Sequence, residues 1–388
     1  MISLVRSRFT LTALSLVRSR FALTVPLALL GLLPFPLAAQ DYEFTQISVR
    51  RSFDPFGLGT PSINARGEVA FTGFLISGVT GIFRGAGGDV TLIADDSGRI
   101  SFLGVNPSIN DLGDVSFAAG LERGGEGIFR GNGGPLTTIA TTEPGRFNFF
   151  GFDTSLNNQG VVAFKAELDS FDEGLFAGDG SGVVPIYRAS TSRFTGEDSG
   201  PSLNDAGPAS GSPGSLAQVK VAFSERTDAG RTGNFLFRSG DFTTIALASD
   251  AGRIGFVEIP SLNDAGQVAF HAFLNNAPHE AILVGDGRSL STIATTVARF
   301  RSFRNPSLND EGAVAFFAEL DTGEQGIFLR NDSASPIIRV IGTGDRLDGS
   351  TVTSLSFARE GLNDEGQLAF LVQLGDDRTA IFRATPLP

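Results

Sequence analysis

Apolar positions recur along this chain at a nearly fixed interval. Seven copies of a motif of the form Asn-x-x-Gly-x-x-Ala-Phe are opened by Asn64, Asn110, Asn157, Asn204, Asn263, Asn309 and Asn363. Subtracting successive positions gives spacings of 46, 47, 47, 59, 46 and 54 residues. Periods of that size belong to repeat architectures, whose units stack to bury apolar faces that no unit buries alone. In the copy at Asn110, an apolar-rich stretch from Ile100 ends in Pro107-Ser108-Ile109-Asn110. Asp111-Leu112-Gly113 makes a turn, and Asp114 to Leu121 alternates, with Val115, Phe117, Ala119 and Leu121 on one face. After Gly124-Gly125 come a short run Gly127 to Arg130, a turn at Asn132 to Pro135, and a last run Leu136 to Ala140. Period-two runs between turn residues, with no helical period, predict one four-stranded antiparallel sheet per unit.

The second run predicts how units pack. Its apolar face recurs as Val69, Phe71, Leu75, as Val162, Phe164, Leu168 and as Val314, Phe316, Leu320. Its opposite face begins with a small residue: Ala70, Ser116, Ala163, Ala222, Ala269, Ala315 and Ala369. The phenylalanines of one sheet are expected to fill the space left by the alanines of the next. This accounts for 35 Phe without any Trp. The seventh copy has Leu368-Ala369-Phe370 and Ala380-Ile381-Phe382 but no fourth strand. An orphan strand, Phe44 to Ser48, matches the fourth strand Phe242 to Ala246 position by position. The fold expected is therefore all-β: a seven-bladed β-propeller of four-stranded antiparallel blades over 43–385. Its N-terminal strand completes the last blade, and closure removes exposed edges.

Composition sets the compartment. Arg6, Arg8, Arg18 and Arg20 precede an apolar stretch Phe21 to Ala39, and no acid occurs before Asp41. Residues 1–39 read as a secretory signal cleaved after Ala39, leaving one domain over 40–388 in the periplasm or the medium. A membrane anchor fits less well, because Pro26, Pro34 and Pro36 interrupt the segment. Losing four arginines takes the formal net charge from -12 to -16. Such a protein repels phosphate backbones and anionic lipid, so neither nucleic acid nor membrane is an expected partner. Cysteine is absent, which excludes disulfides, thiol catalysis and thiolate metal sites.

The chain resembles bacterial exported proteins built from tandem NxxGxxAF repeats. The match rests on Asn64-Ala65-Arg66-Gly67-Glu68-Val69-Ala70-Phe71 and its equivalents, each followed by a run such as Gly81-Ile82-Phe83. It spans about 61–383. The resemblance implies the fold and export, and no activity. Some such proteins carry C-terminal anchoring signals; here six residues follow Phe382 with no apolar tail, so anchoring is not expected.

Candidate chemistry is sparse. Asp111, Asp205, Asp264, Asp310 and Asp364 follow their Asn directly, and five such carboxylates suggest calcium. The turn itself explains the motif better, with Asn capping and Gly taking positive φ. Ala65 and Asn158 replace the Asp in two copies. One Asp per blade is not expected to converge on an ion that needs six to eight oxygens. A second set is Arg99, Arg146, Arg193, Arg253 and Arg299, each 10 or 11 residues before its Asn. These form either a cationic rim for an anionic ligand or ion pairs with acidic turns containing Glu122, Glu126, Asp172, Glu173, Glu225, Asp321 and Glu324. Two departures from the repeat lengthen loops: 208–219, and Gly342 to Ser350 with Asp345, Arg346 and Asp348. The arginines and the second loop are expected on one side of the ring, with 208–219 on the other. His271 and His279 suggest no metal site, and no nucleophile triad, nucleotide loop or zinc signature occurs.

The reading is an exported, monomeric, non-catalytic binding or scaffolding propeller. It needs no cofactor or metal, and its candidate ligands are an anionic glycan or a protein. Its rival is a polysaccharide-active enzyme using paired carboxylates in the central funnel.

Overall fold

A computed structural model describes residues 40–48, 53–143, 145–196, 200–205, 219–249, 252–297 and 299–388, and the side chains of 53–57 are excepted. The signal segment and most of the 208–219 insertion lie outside the described residues.

Seven antiparallel sheets are present, each with one copy of the motif at its centre. We number them blades 1 to 7 in the order of their Asn. In blade 2 the first strand is broken into Ile100–Leu103 and Ser108–Ile109. Val115–Leu121, Glu126–Gly131 and Thr137–Thr141 follow, each hydrogen-bonded to the one before. The interrupted first strand recurs in blades 1, 5 and 6.

The turn between first and second strands behaves as the motif requires. Asn110 Oδ1 accepts the N–H groups of Leu112 at 3.1 Å and Asp114 at 2.9 Å. Gly113 sits at φ 81°, a region closed to most side chains. The strand after it alternates as expected, but both faces are buried, because each sheet has a neighbour on either side.

Packing between blades follows one rule around the ring. Ala70 of blade 1 lies in one apolar cluster with Phe117 and Phe129 of blade 2. Ala163 packs with Phe223 and Phe235, Ala222 with Phe270, Ala269 with Phe316 and Phe328, and Ala315 with Phe370 and Phe382. Ala369 of blade 7 then packs with Phe71 and Phe83 of blade 1. The stack therefore closes on itself. A buried Phe contributes roughly 1.5–3 kcal/mol, so these interfaces carry most of the core.

The N-terminal strand completes the last blade. Tyr42–Gln46 pairs antiparallel with Thr379–Pro386, Tyr42 opposite Pro386 and Gln46 opposite Phe382. Ile47 is fully buried and its N–H donates to Ile381 O at 2.8 Å. The ring is thus a seven-bladed propeller fastened by its own two ends.

Candidate functional site

Two cavities lie along the innermost strands. One is lined at the turn end by Ser, Leu, Asn and Asp of the motif; the other is lined by residues preceding that serine. Arg359 and Glu360 are the only residues that line both.

At the turn end the repeated polar groups are spent on joining blades. Asn64 Nδ2 donates to Asn110 O at 2.9 Å, and Asn110 Nδ2 to Asn157 O at 3.0 Å. Asn263 reaches Asn309 O, Asn309 reaches Asn363 O, and Asn363 reaches Asn64 O at 2.8 Å. A parallel series runs through serine: the N–H of Leu156, Leu203, Leu262, Leu308 and Leu362 each donates to the Oγ of the preceding blade's serine.

The aspartates form a third series. The N–H of Ala65 donates to Asp111, that of Asn158 to Asp205, that of Asp205 to Asp264, that of Asp264 to Asp310, and that of Asp310 to Asp364, all within 2.8 Å. Asn158 Oδ1 takes the same place for the Asp111 N–H at 2.7 Å, which is why Asn serves in that copy. One Asp per blade was not expected to converge on an ion, yet the aspartates line one cavity together. The carboxylates gather around one mouth and repel each other. Lost hydration pushes the Asp205 carboxyl up to about 7, against the Asn158 hydrogen bond, and Asp111, Asp264 and Asp310 add repulsion. Asp310 is likewise pushed up to about 6, first by lost hydration and then by Asp264 and Asp364. Among the described residues no group of three or more His, Asp or Glu side chains is placed to hold a metal ion.

Blade 7 breaks the pattern and closes the axis. Where the other copies read Pro-Ser-Leu-Asn or Pro-Ser-Ile-Asn, with Thr154 for the proline in blade 3, it reads Glu360-Gly361-Leu362-Asn363. Glu360 Oε1 accepts the Ser155 hydroxyl at 3.0 Å from across the ring. Arg359 Nη2 reaches Thr154 O at 3.4 Å, and Ser261 donates to Arg359 O at 3.2 Å. Burial pushes the Glu360 carboxyl up; Arg359 and the Ser108 and Ser155 hydroxyls oppose this, and Asp153 reinforces it. Gly361 has no room for a side chain, since a Cβ would lie 2.5 Å from the Phe357 ring. The signal is present in the sequence as a substitution that changes no length, unlike the two loop insertions.

Beyond this plug lies a cavity of about 600 Å³. A polar chain crosses its wall from Thr60 through Asn106 to Asp153, at 2.7 and 2.9 Å, joining blades 1 to 3. Glu258 also lines it and holds the buried His271, whose Nδ1 is 3.0 Å from Glu258 Oε2 and whose Nε2 is 3.1 Å from Glu280 Oε2. Among the described residues, eight buried side-chain polar atoms have no hydrogen-bond partner. Four of these, Ser62 Oγ, Asn305 Oδ1, Gln325 Oε1 and Arg359 Nη1, belong to residues that line this cavity. Buried polar groups are nearly always satisfied, so this concentration marks where a ligand or water belongs.

The arginines proposed as a rim lie elsewhere. Each backbone carbonyl, from Arg99, Arg146, Arg193, Arg253 and Arg299, accepts an N–H from the turn after the second strand, at 2.9–3.2 Å. The loops and turns therefore share a side. The side chains do not reach the axis, for none of the five lines either axial cavity. Arg99, Arg146 and Arg193 instead lie over Phe129, Phe147 and Phe194, at 5.6, 5.0 and 5.3 Å from the ring centroids. Neither the ligand rim nor the acidic pairing describes these three; the exposed arginines cap phenylalanines at the blade ends. Asp172 pairs with Arg188 at 2.7 Å, and Glu126 accepts the Phe150 N–H at 2.9 Å. In the lengthened loop, Asp345 is held by Arg339 at 2.7 Å, Asp348 by Arg378, and Arg346 by Gly349 O at 3.2 Å. Asp348 and Gly349 at φ 48° and 80° make the tight turn of a hairpin.

Residues 63–383 match a family described as Family of unknown function (DUF7453). The chain belongs to that family. No curated protein matches it. Among solved structures it is similar to a Mycobacterium tuberculosis puromycin-hydrolyzing peptidase, at 12% identity and a TM-score of 0.56, over 90% of this chain and 56% of that one. It is also similar to prolyl oligopeptidase B of Galerina marginata, at 10% identity and 0.54, over 87% and 52%. A Pyrococcus horikoshii acylaminoacyl peptidase gives 12% and 0.50, over 85% and 53%. This chain spans about half the length of each peptidase. At such identities the likeness concerns the propeller fold alone.

Proposed function

We propose that this DUF7453 protein is an exported binding module, without catalysis, that takes its ligand in the axial cavity above Arg359 and Glu360. One observation carries the reading. Most of the repeated polar residues are engaged between blades, while four residues of blades 1, 6 and 7 that carry an unpaired buried polar atom line one cavity of about 600 Å³. That volume falls in the ~300–1,000 Å³ usual for ligand sites. The exported character rests on the basic and apolar first 39 residues and on the resemblance to exported NxxGxxAF-repeat proteins.

The rival, a carboxylate-dependent polysaccharide enzyme, draws support from Glu360 and Asp153 in the same cavity. Against it, Glu360 oxygens are engaged by Ser108 and Ser155, so its carboxyl serves the plug. The test is incubation of the purified chain with a panel of small molecules and glycans, reading both thermal shift and product. A ligand-dependent rise in melting temperature without turnover is expected. New reducing ends would overturn the non-catalytic reading, and retention of the chain in the cytoplasm on fractionation would overturn export.

A further inference from the structure

The polar cavity has an aromatic approach, and the two together specify a class of ligand. Phe152 is 47% exposed on the innermost strand of blade 3, directly before the cavity residues Asp153 and Thr154. Its ring lies 5.8 Å from Phe102 of blade 2 and 6.1 Å from Phe149, both also exposed. On blade 5, exposed Phe256 lies 6.1 Å from exposed Phe273, two residues before the cavity residue Glu258. Burying these rings between blades was open to the sequence, as Phe147 and Phe150 show.

Blade 3 carries a further exposed ring at a backbone cost. In the turn after the second strand, one position takes positive φ in blade after blade: Gly78, Gly124, Gly230, Gly323 and Asp377. In blade 3 that position is Phe171, at φ 62° and 78% exposed. Its turn lies on the arginine side, since Asp169 N–H donates to Arg146 O. A large residue held in the left-handed region costs about 1–3 kcal/mol, and no burial offsets it here.

We infer that the cavity binds a neutral saccharide, with blade 3 supplying the stacking face; this rests on the binding reading above. Three properties converge on sugar. The lining is mixed: the hydroxyls of Ser302, Ser354 and Ser356, the amides of Asn106 and Asn305, and the guanidinium of Arg304. Sugar hydroxyls both donate and accept, so one ligand type satisfies all of them. The exposed phenyl faces suit the C–H face of a pyranose ring, which is apolar and slightly positive against the negative ring face. Charge then selects among sugars. The lining holds four carboxyl side chains, Asp153, Glu258, Glu319 and Glu360, against the two guanidinium groups of Arg304 and Arg359. An anionic glycan meets net repulsion there, and the arginines once expected to receive it lie on blade ends.

The experiment is binding of the full chain to a panel of neutral and acidic oligosaccharides, followed by titration calorimetry on the hits. Two variants localise the site. Phe152→Ala removes an exposed ring, whose stacking is worth up to about 1.5 kcal/mol, so affinity should fall about tenfold. Ser354→Trp fills the cavity from blade 7 and should abolish binding, with circular dichroism showing both variants folded. Neutral hits lost in Ser354→Trp and weakened in Phe152→Ala are the expected result. Hits confined to acidic glycans or to non-sugar molecules, yet blocked by Ser354→Trp, overturn the saccharide and leave cavity binding standing. Neutral hits indifferent to Ser354→Trp overturn the site. Binding of a protein partner with no glycan hit overturns the proposal as well.

Discussion

The two ends of the propeller axis are built from the same strands and do opposite things. At the turn end, Asn, Ser and Asp of most copies are fastened to a neighbouring blade, so most of what is repeated is already satisfied. At the other end the repeat lapses, and one cavity is lined by residues of three different blades that carry unpaired buried polar atoms. Repetition serves the ring, and function must be sought where symmetry fails. Blade 7 is the point of failure, because Gly361 replaces the serine of the motif and Glu360, in the place of the proline, reaches across the axis.

The largest effect should come from opening the ring. Deleting 40–48 removes the pairing of Tyr42–Gln46 with the last blade and uncovers the edge of Thr379–Pro386. It also removes the fully buried Ile47, worth roughly 1.5–3 kcal/mol alone, and the Ser48 hydroxyl that accepts the Ile381 N–H. With total stability of about 5–15 kcal/mol, this should leave a chain that aggregates or melts far below the intact one. Thermal unfolding and gel filtration check it. Equal melting within a few degrees would mean that the Asn, Ser and Asp hydrogen bonds between blades alone hold the ring.

The closed ring was legible in the sequence because each of its causes is local and repeated. Seven Asn-x-x-Gly turns, alternating Val and Phe, and a small residue opposite are visible without coordinates. The site was much less so. Serine and aspartate act between blades, so their partners lie 46 to 60 residues away, and only the assembled ring brings them together. The arginines illustrate the limit. Their spacing correctly placed their backbone beside the turns, but spacing says nothing about where a long side chain lies, and three of them fold back over phenylalanines.

An intermediate effect should separate the two ends by pH. Asp205 and Asp310 are pushed up to about 7 and about 6 in the folded state, above an unfolded value near 3.9. The folded state therefore holds more protons than the unfolded one between about pH 4 and 7. Stability from this pair is present below pH 4 and is lost as pH rises through 6 and 7. Groups held low, such as Asp172 and Glu68, act in the opposite sense and below that window. Asp205→Asn should flatten the fall between pH 4 and 7 and keep the fold, because Asn158 already plays the same part beside it. Melting curves across that range decide it. An unchanged slope would show that neither burial nor the neighbouring carboxylates raises Asp205 as its surroundings imply.

The smallest effect tests whether the arginine side chains at the blade ends are functionally silent. Arg146 is exposed, lies over Phe147 at 5.0 Å, and donates to Val183 O at 3.2 Å. A cation over an aromatic ring at an exposed site is worth about 0.5–1 kcal/mol, and the exposed hydrogen bond adds little. In a domain of this size, 1 kcal/mol moves the melting point by roughly 2–4 °C or less. Arg146→Ala should therefore lower melting by no more than a few degrees. Because Arg146 lines neither axial cavity, any ligand-induced thermal shift should remain at its wild-type size. The informative failure is the reverse: melting unchanged and the ligand shift gone. That result would move the ligand from the axis to the blade ends, and the four unpaired atoms of the cavity's lining residues would then mark only bound water.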